Sequence, residues 1–177
     1  MAAFPPTMFI NLYLFFSQTP IWAPYLLNFY GMFFAVLVTL YLSSMFTWKT
    51  TIVFVGFITV MDIILVLVTG SMVTAATHVS ALRLPVMVYM PIFPIAGPEA
   101  SYLSLGLGDF LFAGLLATQT SKKFGKNFAV LSVVAMVVSF FLFEIAMLNY
   151  GIMAFPGTLM ILSGWTASIL FKILRRS

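Results

Sequence analysis

Phe57-Ile58-Thr59-Val60-Met61-Asp62-Ile63-Ile64-Leu65-Val66-Leu67 is an apolar run interrupted by a single carboxylate, and a second run, Gly106-Leu107-Gly108-Asp109-Phe110-Leu111-Phe112, repeats the pattern. Either stretch placed in a bilayer buries an ionisable group, which costs several kcal/mol even on lenient scales. The chain has four acidic residues in all. Two of them in apolar segments call for a functional reason.

Composition fixes the surroundings of these segments. Apolar residues make up 63% of the 177 positions and charged residues 7%, and the mean hydropathy is +1.14. Soluble domains carry roughly 45–50% apolar and about 25% charged residues. The expectation is therefore an all-α membrane protein, a polytopic bundle of about six transmembrane helices in one domain over 1–177. The spans are expected near 7–19, 24–46, 51–70, 103–120, 127–149 and 156–173, with one long connection over 71–102. The opening Met1-Ala2-Ala3-Phe4-Pro5-Pro6 lacks a basic flank, so the first apolar stretch is expected to be retained. Cysteine is absent, which excludes disulfides and thiolate metal sites.

Charge placement predicts an orientation. With six spans, Lys49, Lys122, Lys123, Lys126, Lys172, Arg175 and Arg176 fall on one side and Arg83 alone on the other. Short basic loops favour the cytoplasm, so both termini are expected there and the 71–102 connection on the far side. The net charge of +4 thus reflects topology. A nucleic-acid partner would need a basic stripe with interleaved aromatics on a soluble surface, and nothing in the chain supplies one. The expected surroundings are lipid, and self-association is left open.

If the third span runs outward and the fourth returns, Asp62 and Asp109 reach similar depth at about 1.5 Å per residue. Gly106, three residues before Asp109, would share its helical face, and Gly108 adjoins it. Both lower the steric wall around the carboxylate. Two carboxylates within hydrogen-bond distance cannot both ionise easily, so they divide acid and base roles around a water. That arrangement hydrolyses amides in aspartic proteases. The bland alternative is that each aspartate bonds to a neighbouring Ser or Thr.

Gly106-Leu107-Gly108-Asp109 on a helix, Asp62 within the preceding helix, and Pro156-Gly157-Thr158 at the start of the last helix together resemble the presenilin and signal peptide peptidase family of intramembrane aspartyl proteases. The resemblance implies that Asp62 and Asp109 are the catalytic dyad. It also implies that Pro156, Gly157 and Thr158 border the site, where the family has Pro-Ala-Leu. The implied activity is hydrolysis of single-span transmembrane helices with no metal or organic cofactor. A catalytically silent scaffold of the same fold and a proton-coupled carrier are the alternatives.

Other polar positions carry less. Glu144 lies near the outer end of its helix and reads as an interface or packing residue. His78 has no second histidine or carboxylate at metal spacing, and His-Glu-x-x-His is absent. Ser163 and Ser43-Ser44 lack a histidine partner in the membrane. Gly157, Ser163-Gly164 and Ala167-Ser168 predict close helix packing, and Trp22 and Trp48 read as interface anchors. Pro85-Val86-Met87-Val88-Tyr89-Met90-Pro91 is β-prone and bounded by prolines. The resemblance implies that Val86, Met87, Val88, Tyr89 and Met90 pair with substrate as a strand, mobile until substrate binds.

Overall fold

The computed structural model describes residues 4–17, 19, 21–70, 84–91, 102–152 and 154–175. Helices dominate: α1 (Phe4–Phe16), α2 (Leu27–Met45, entered through a wide turn at Trp22–Leu26), α3 (Trp48–Ile63, continued by a wide turn at Ile64–Val68), α4 (Leu107–Phe124), α5 (Lys126–Tyr150) and α6 (Gly157–Leu174). Trp22–Met45, Trp48–Val68, Lys126–Tyr150 and Gly157–Leu174 are each long and apolar enough to cross a membrane. The protein is a helical membrane protein, as composition predicts. His78, Arg83 and Glu99 lie outside the described residues.

One expected boundary is wrong. The fourth span was expected over 103–120, but Tyr102–Gly106 forms a strand, β2, antiparallel to β1 (Met87–Pro91). The helix starts only at Leu107. Gly106 therefore closes a strand and does not share a helical face with Asp109. The 71–102 connection likewise contains β1, so the all-α expectation holds apart from one two-stranded sheet. The misreading has a physical source: Tyr102-Leu103-Ser104-Leu105 is apolar enough to pass for helix in lipid, and periodicity alone cannot separate short apolar strands from helices.

The chain forms two compact units, residues 1–35 with 77–107, and residues 36–76 with 108–177. In the first, Phe9, Tyr13, Trp22 and Tyr30 interlock, with Trp22 fully buried. Trp22, expected as an interface anchor, is instead the centre of this cluster. The β-hairpin is fixed from α2: Asn28 Nδ2 donates to the Tyr89 carbonyl at 2.7 Å, and the Tyr89 N–H donates to Asn28 Oδ1 at 2.8 Å. In an antiparallel ladder, alternate residues face the partner strand. The Leu107 N–H donates to the Val86 carbonyl at 3.0 Å, which puts Val88, opposite Leu105, on the paired side and Tyr89 on the outer edge. Asn28 closes that edge with one carboxamide. Val86–Met90, expected to pair with substrate as a strand, pairs with β2 on one side, and Asn28 bonds Tyr89 on the other.

The second unit is built around Val55, Phe112, Leu116, Met136, Ile161 and Trp165, one or two residues from each of α3 to α6. Thr47 and Thr50 cap α3 reciprocally, each side chain accepting from the other's backbone N–H. Gln119 of α4 reaches the C-terminal end of α2, its Nε2 donating to the carbonyls of Ser43 at 3.1 Å and Phe46 at 2.9 Å. Lys122 Nζ also donates to Ser43 O. Helix ends leave carbonyls without intrahelical partners, and a cation is electrostatically favourable there. Trp165 Nε1 donates to Thr120 Oγ1 at 2.9 Å, tying α6 to α4 in the core.

Helices α5 and α6 meet at the predicted small residues. Gly164 packs on the α5 backbone at Ala135 and Met136, and a Cβ there would lie 2.8 Å from Met136 Cα. Gly151 ends α5 in the left-handed conformation with φ 65°, where a side chain is disfavoured. Gly56 on α3 has nothing within 4 Å of the position a Cβ would take.

Two outcomes are expected. Gly164→Ala should lower thermal stability in detergent by about 1–3 kcal/mol, the usual cost of overpacking, whereas Gly56→Ala should be neutral or stabilising by up to about 1 kcal/mol. Equal unfolding temperatures for the two variants would contradict the packing. Asn28→Leu should also speed hydrogen exchange at the Tyr89 amide while leaving exchange at Val88, which faces β2, much less affected.

Candidate active site

Both aspartates belong to the second unit. Asp62 sits in the last turn of α3, and Asp109 in the first turn of α4. They lie about 21 Å and about 22 Å along their helices from Trp48 and Phe124, at 1.5 Å per residue. A carboxylate in the first turn lies at the positive end of its helix, an electrostatically favourable place.

The start of α6 meets both. Pro156 precedes the helix and supplies no side-chain cap. Asp62 supplies it from α3: its Oδ2 accepts from the Thr158 N–H at 3.2 Å and from the Thr158 hydroxyl at 2.6 Å. An amide of the first helical turn, without an intrahelical acceptor, is thereby satisfied by another helix. Asp109 lies against the preceding residue. A Cβ built on Gly157 would fall 2.6 Å from Asp109 Oδ1 and 2.8 Å from Oδ2, so the carboxylate occupies the space that a side chain would need. Two carboxylates from two helices thus converge on one dipeptide of a third.

A cavity of about 310 Å³ opens beside them. Asp62, Asp109 and Thr158 are its polar wall, and side chains such as Phe54, Ile58, Met61, Phe112 and Leu115 make the rest apolar. A mostly apolar concavity with a few convergent polar groups is the usual form of a small binding site. Gly108 lines the cavity and has nothing within 4 Å of where a Cβ would be. It keeps the approach to Asp109 open.

The structure thus gathers Asp62, Asp109, Gly108, Gly157 and Thr158. Pro156 is buried just before α6. Gly106 and Leu107 end the first unit and Val86–Met90 lie within it, and none of these lines the cavity. Glu144 is half-buried on α5 and is not among the cavity residues. Ser43 contributes its carbonyl to Gln119, and Ser163 its hydroxyl to Ser139 at 2.6 Å, so neither is arranged as a nucleophile. Among the described residues no group of three or more His, Cys, Asp or Glu side chains could hold a metal. Sequence reasoning missed that the Thr158 hydroxyl bonds Asp62. The signal was a threonine two residues after a proline at the start of an apolar helix, since a buried hydroxyl needs a partner. The alternative in which an aspartate bonds to a neighbouring Thr describes one oxygen of Asp62, while Asp109 lies against Gly157.

Asp62→Leu should leave both Thr158 donors unpaired and destabilise the fold by about 1–3 kcal/mol, whereas Asp62→Asn keeps an acceptor and should cost less. Thermal unfolding of the two variants side by side checks this; equal losses would mean that Asp62 does not cap α6. No protein-family model, curated protein or solved structure matches this chain.

Proposed function

We propose that the protein is an intramembrane aspartyl protease that hydrolyses peptide bonds within single-span transmembrane helices. The observation carrying this reading is the convergence of Asp62 and Asp109 on Gly157-Thr158 at the wall of one apolar cavity. Intramembrane carboxylates are functional by default, and a pair of them at one site supplies the two proton-transfer groups that amide hydrolysis needs.

One carboxylate takes a proton from water as that water attacks the scissile carbonyl, and the other carboxyl gives its proton to the carbonyl oxygen. The tetrahedral intermediate then collapses with proton transfer to the departing amine. No metal or organic cofactor enters this scheme. The apolar walls accommodate side chains of a membrane helix, and the polar wall faces the bond to be cut. Backbone groups freed when that helix unwinds cost several kcal/mol each in lipid unless paired.

The basic residues at the start of α3, the α4–α5 junction and the end of α6 favour cytoplasmic termini. This orientation implies a preference for type II substrate helices, since the dyad meets its substrate in one direction. A second reading, a catalytically silent scaffold, is favoured by the two hydrogen bonds that engage Asp62 structurally.

Purified protein incubated with a reporter transmembrane peptide should cleave it, and a transition-state isostere should block cleavage. Asp62→Asn and Asp109→Asn should each abolish cleavage with the fold intact; full activity in either mutant overturns the mechanism. Lost proton flux in liposomes without any wild-type cleavage would point to a carrier instead. The rate should follow a bell-shaped pH profile, falling when both carboxyls are protonated because no base remains, and when both are ionised because no acid remains. Cysteines introduced at positions 80 and 124 should label from opposite sides, with position 124 protected from an impermeant thiol reagent in intact cells.

A further inference from the structure

The first turn of α6 does more than border the site. Thr158 is 5% exposed, and both of its donors converge on the same oxygen of Asp62, at 3.2 Å from the backbone N–H and 2.6 Å from the hydroxyl. A carboxylate oxygen that accepts two hydrogen bonds cannot rotate away without losing both, so the plane of the Asp62 carboxylate is fixed. Oδ1 is left as its oxygen without a donor among the described residues. One residue earlier, the absent Cβ of Gly157 is what admits Asp109: any side chain there would meet Oδ1 at 2.6 Å and the carboxyl carbon at 2.8 Å.

We infer that Gly157-Thr158 is a template that sets both carboxylates from a single backbone turn. Thr158 is a positioning residue for Asp62, and Gly157 provides the space that Asp109 occupies. The inference rests on the proteolytic reading and deepens it. It also gives a reason for the departure from Pro-Ala-Leu at this motif. In this chain the apolar pair would be defective, since a methyl at 157 drives into Asp109 and an aliphatic side chain at 158 removes the hydroxyl donor.

The experiment uses the full chain in detergent with the reporter peptide. Thr158→Val keeps the side-chain shape and removes the hydroxyl. It should lower kcat by about 10- to 100-fold, the range expected for a hydrogen bond to a charged group, with KM unchanged. Thr158→Ser should restore kcat to within a few-fold of the parent, which a purely steric role would not do. The double change Gly157→Ala with Thr158→Leu should fall below Thr158→Val. Wild-type kcat in Thr158→Val, or undiminished cleavage by the double variant, overturns the template.

A second readout does not need cleavage. The carboxyl band that disappears in Asp62→Asn is assigned by infrared difference spectroscopy. It should move in Thr158→Val and return in Thr158→Ser. If the parent protein fails to cut the peptide while the band responds in this way, the protease reading fails and the template stands. If the band is the same in Thr158→Val and the parent, the template fails whatever the cleavage result.

Discussion

A lipid bilayer offers no hydrogen-bond partners to exposed backbone, and each place where this chain leaves a helix must be satisfied by the protein itself. Four side chains meet that constraint. Gln119, with Lys122, takes the carbonyls at the end of α2. Asn28 pairs with both backbone groups of Tyr89. Asp62 accepts the Thr158 amide at the start of α6. Among the described residues no buried side-chain nitrogen or oxygen is left without a partner.

Under the proposed function, the cap from Asp62 is where stability and chemistry meet. A carboxylate at the start of a helix is an ordinary stabilising device, worth about 0.5–2 kcal/mol, but it normally comes from the adjoining residue. Here Pro156 occupies that place and cannot provide it, so the acceptor comes from α3, and α6 is anchored where Asp109 also lies. The same hydrogen bonds that complete the helix orient a group suited to proton transfer. Removing the acid therefore disturbs both, which is why the asparagine and leucine substitutions separate the two roles.

The cavity follows from the same placement. Val55, Phe112 and Ile161 pack the core of the second unit, and the concavity opens at Asp62, Asp109 and Thr158. Gly108 keeps a side chain from filling it, and Gly157 leaves the space that Asp109 occupies. Gly164 serves a different purpose, since its missing side chain lets α6 lie on the backbone of α5. Glycines in the same chain thus act for access in one place and for packing in another. Spacing alone distinguishes them poorly.

The membrane class and the candidacy of Asp62 and Asp109 were determined by the sequence alone, because hydropathy and the cost of a buried charge are properties of single segments. So was the close packing of the last helix, legible in small residues four apart. The strand at Tyr102–Gly106 was not, since an apolar stretch of that length fits strand or helix equally until a partner fixes it, and its partner β1 lies eleven residues upstream. Nor could the sequence tell that Thr158 holds Asp62 or that Gly157 receives Asp109. Those contacts join positions 96 and 48 residues apart, and only the packing of α3, α4 and α6 brings them within hydrogen-bond or van der Waals reach.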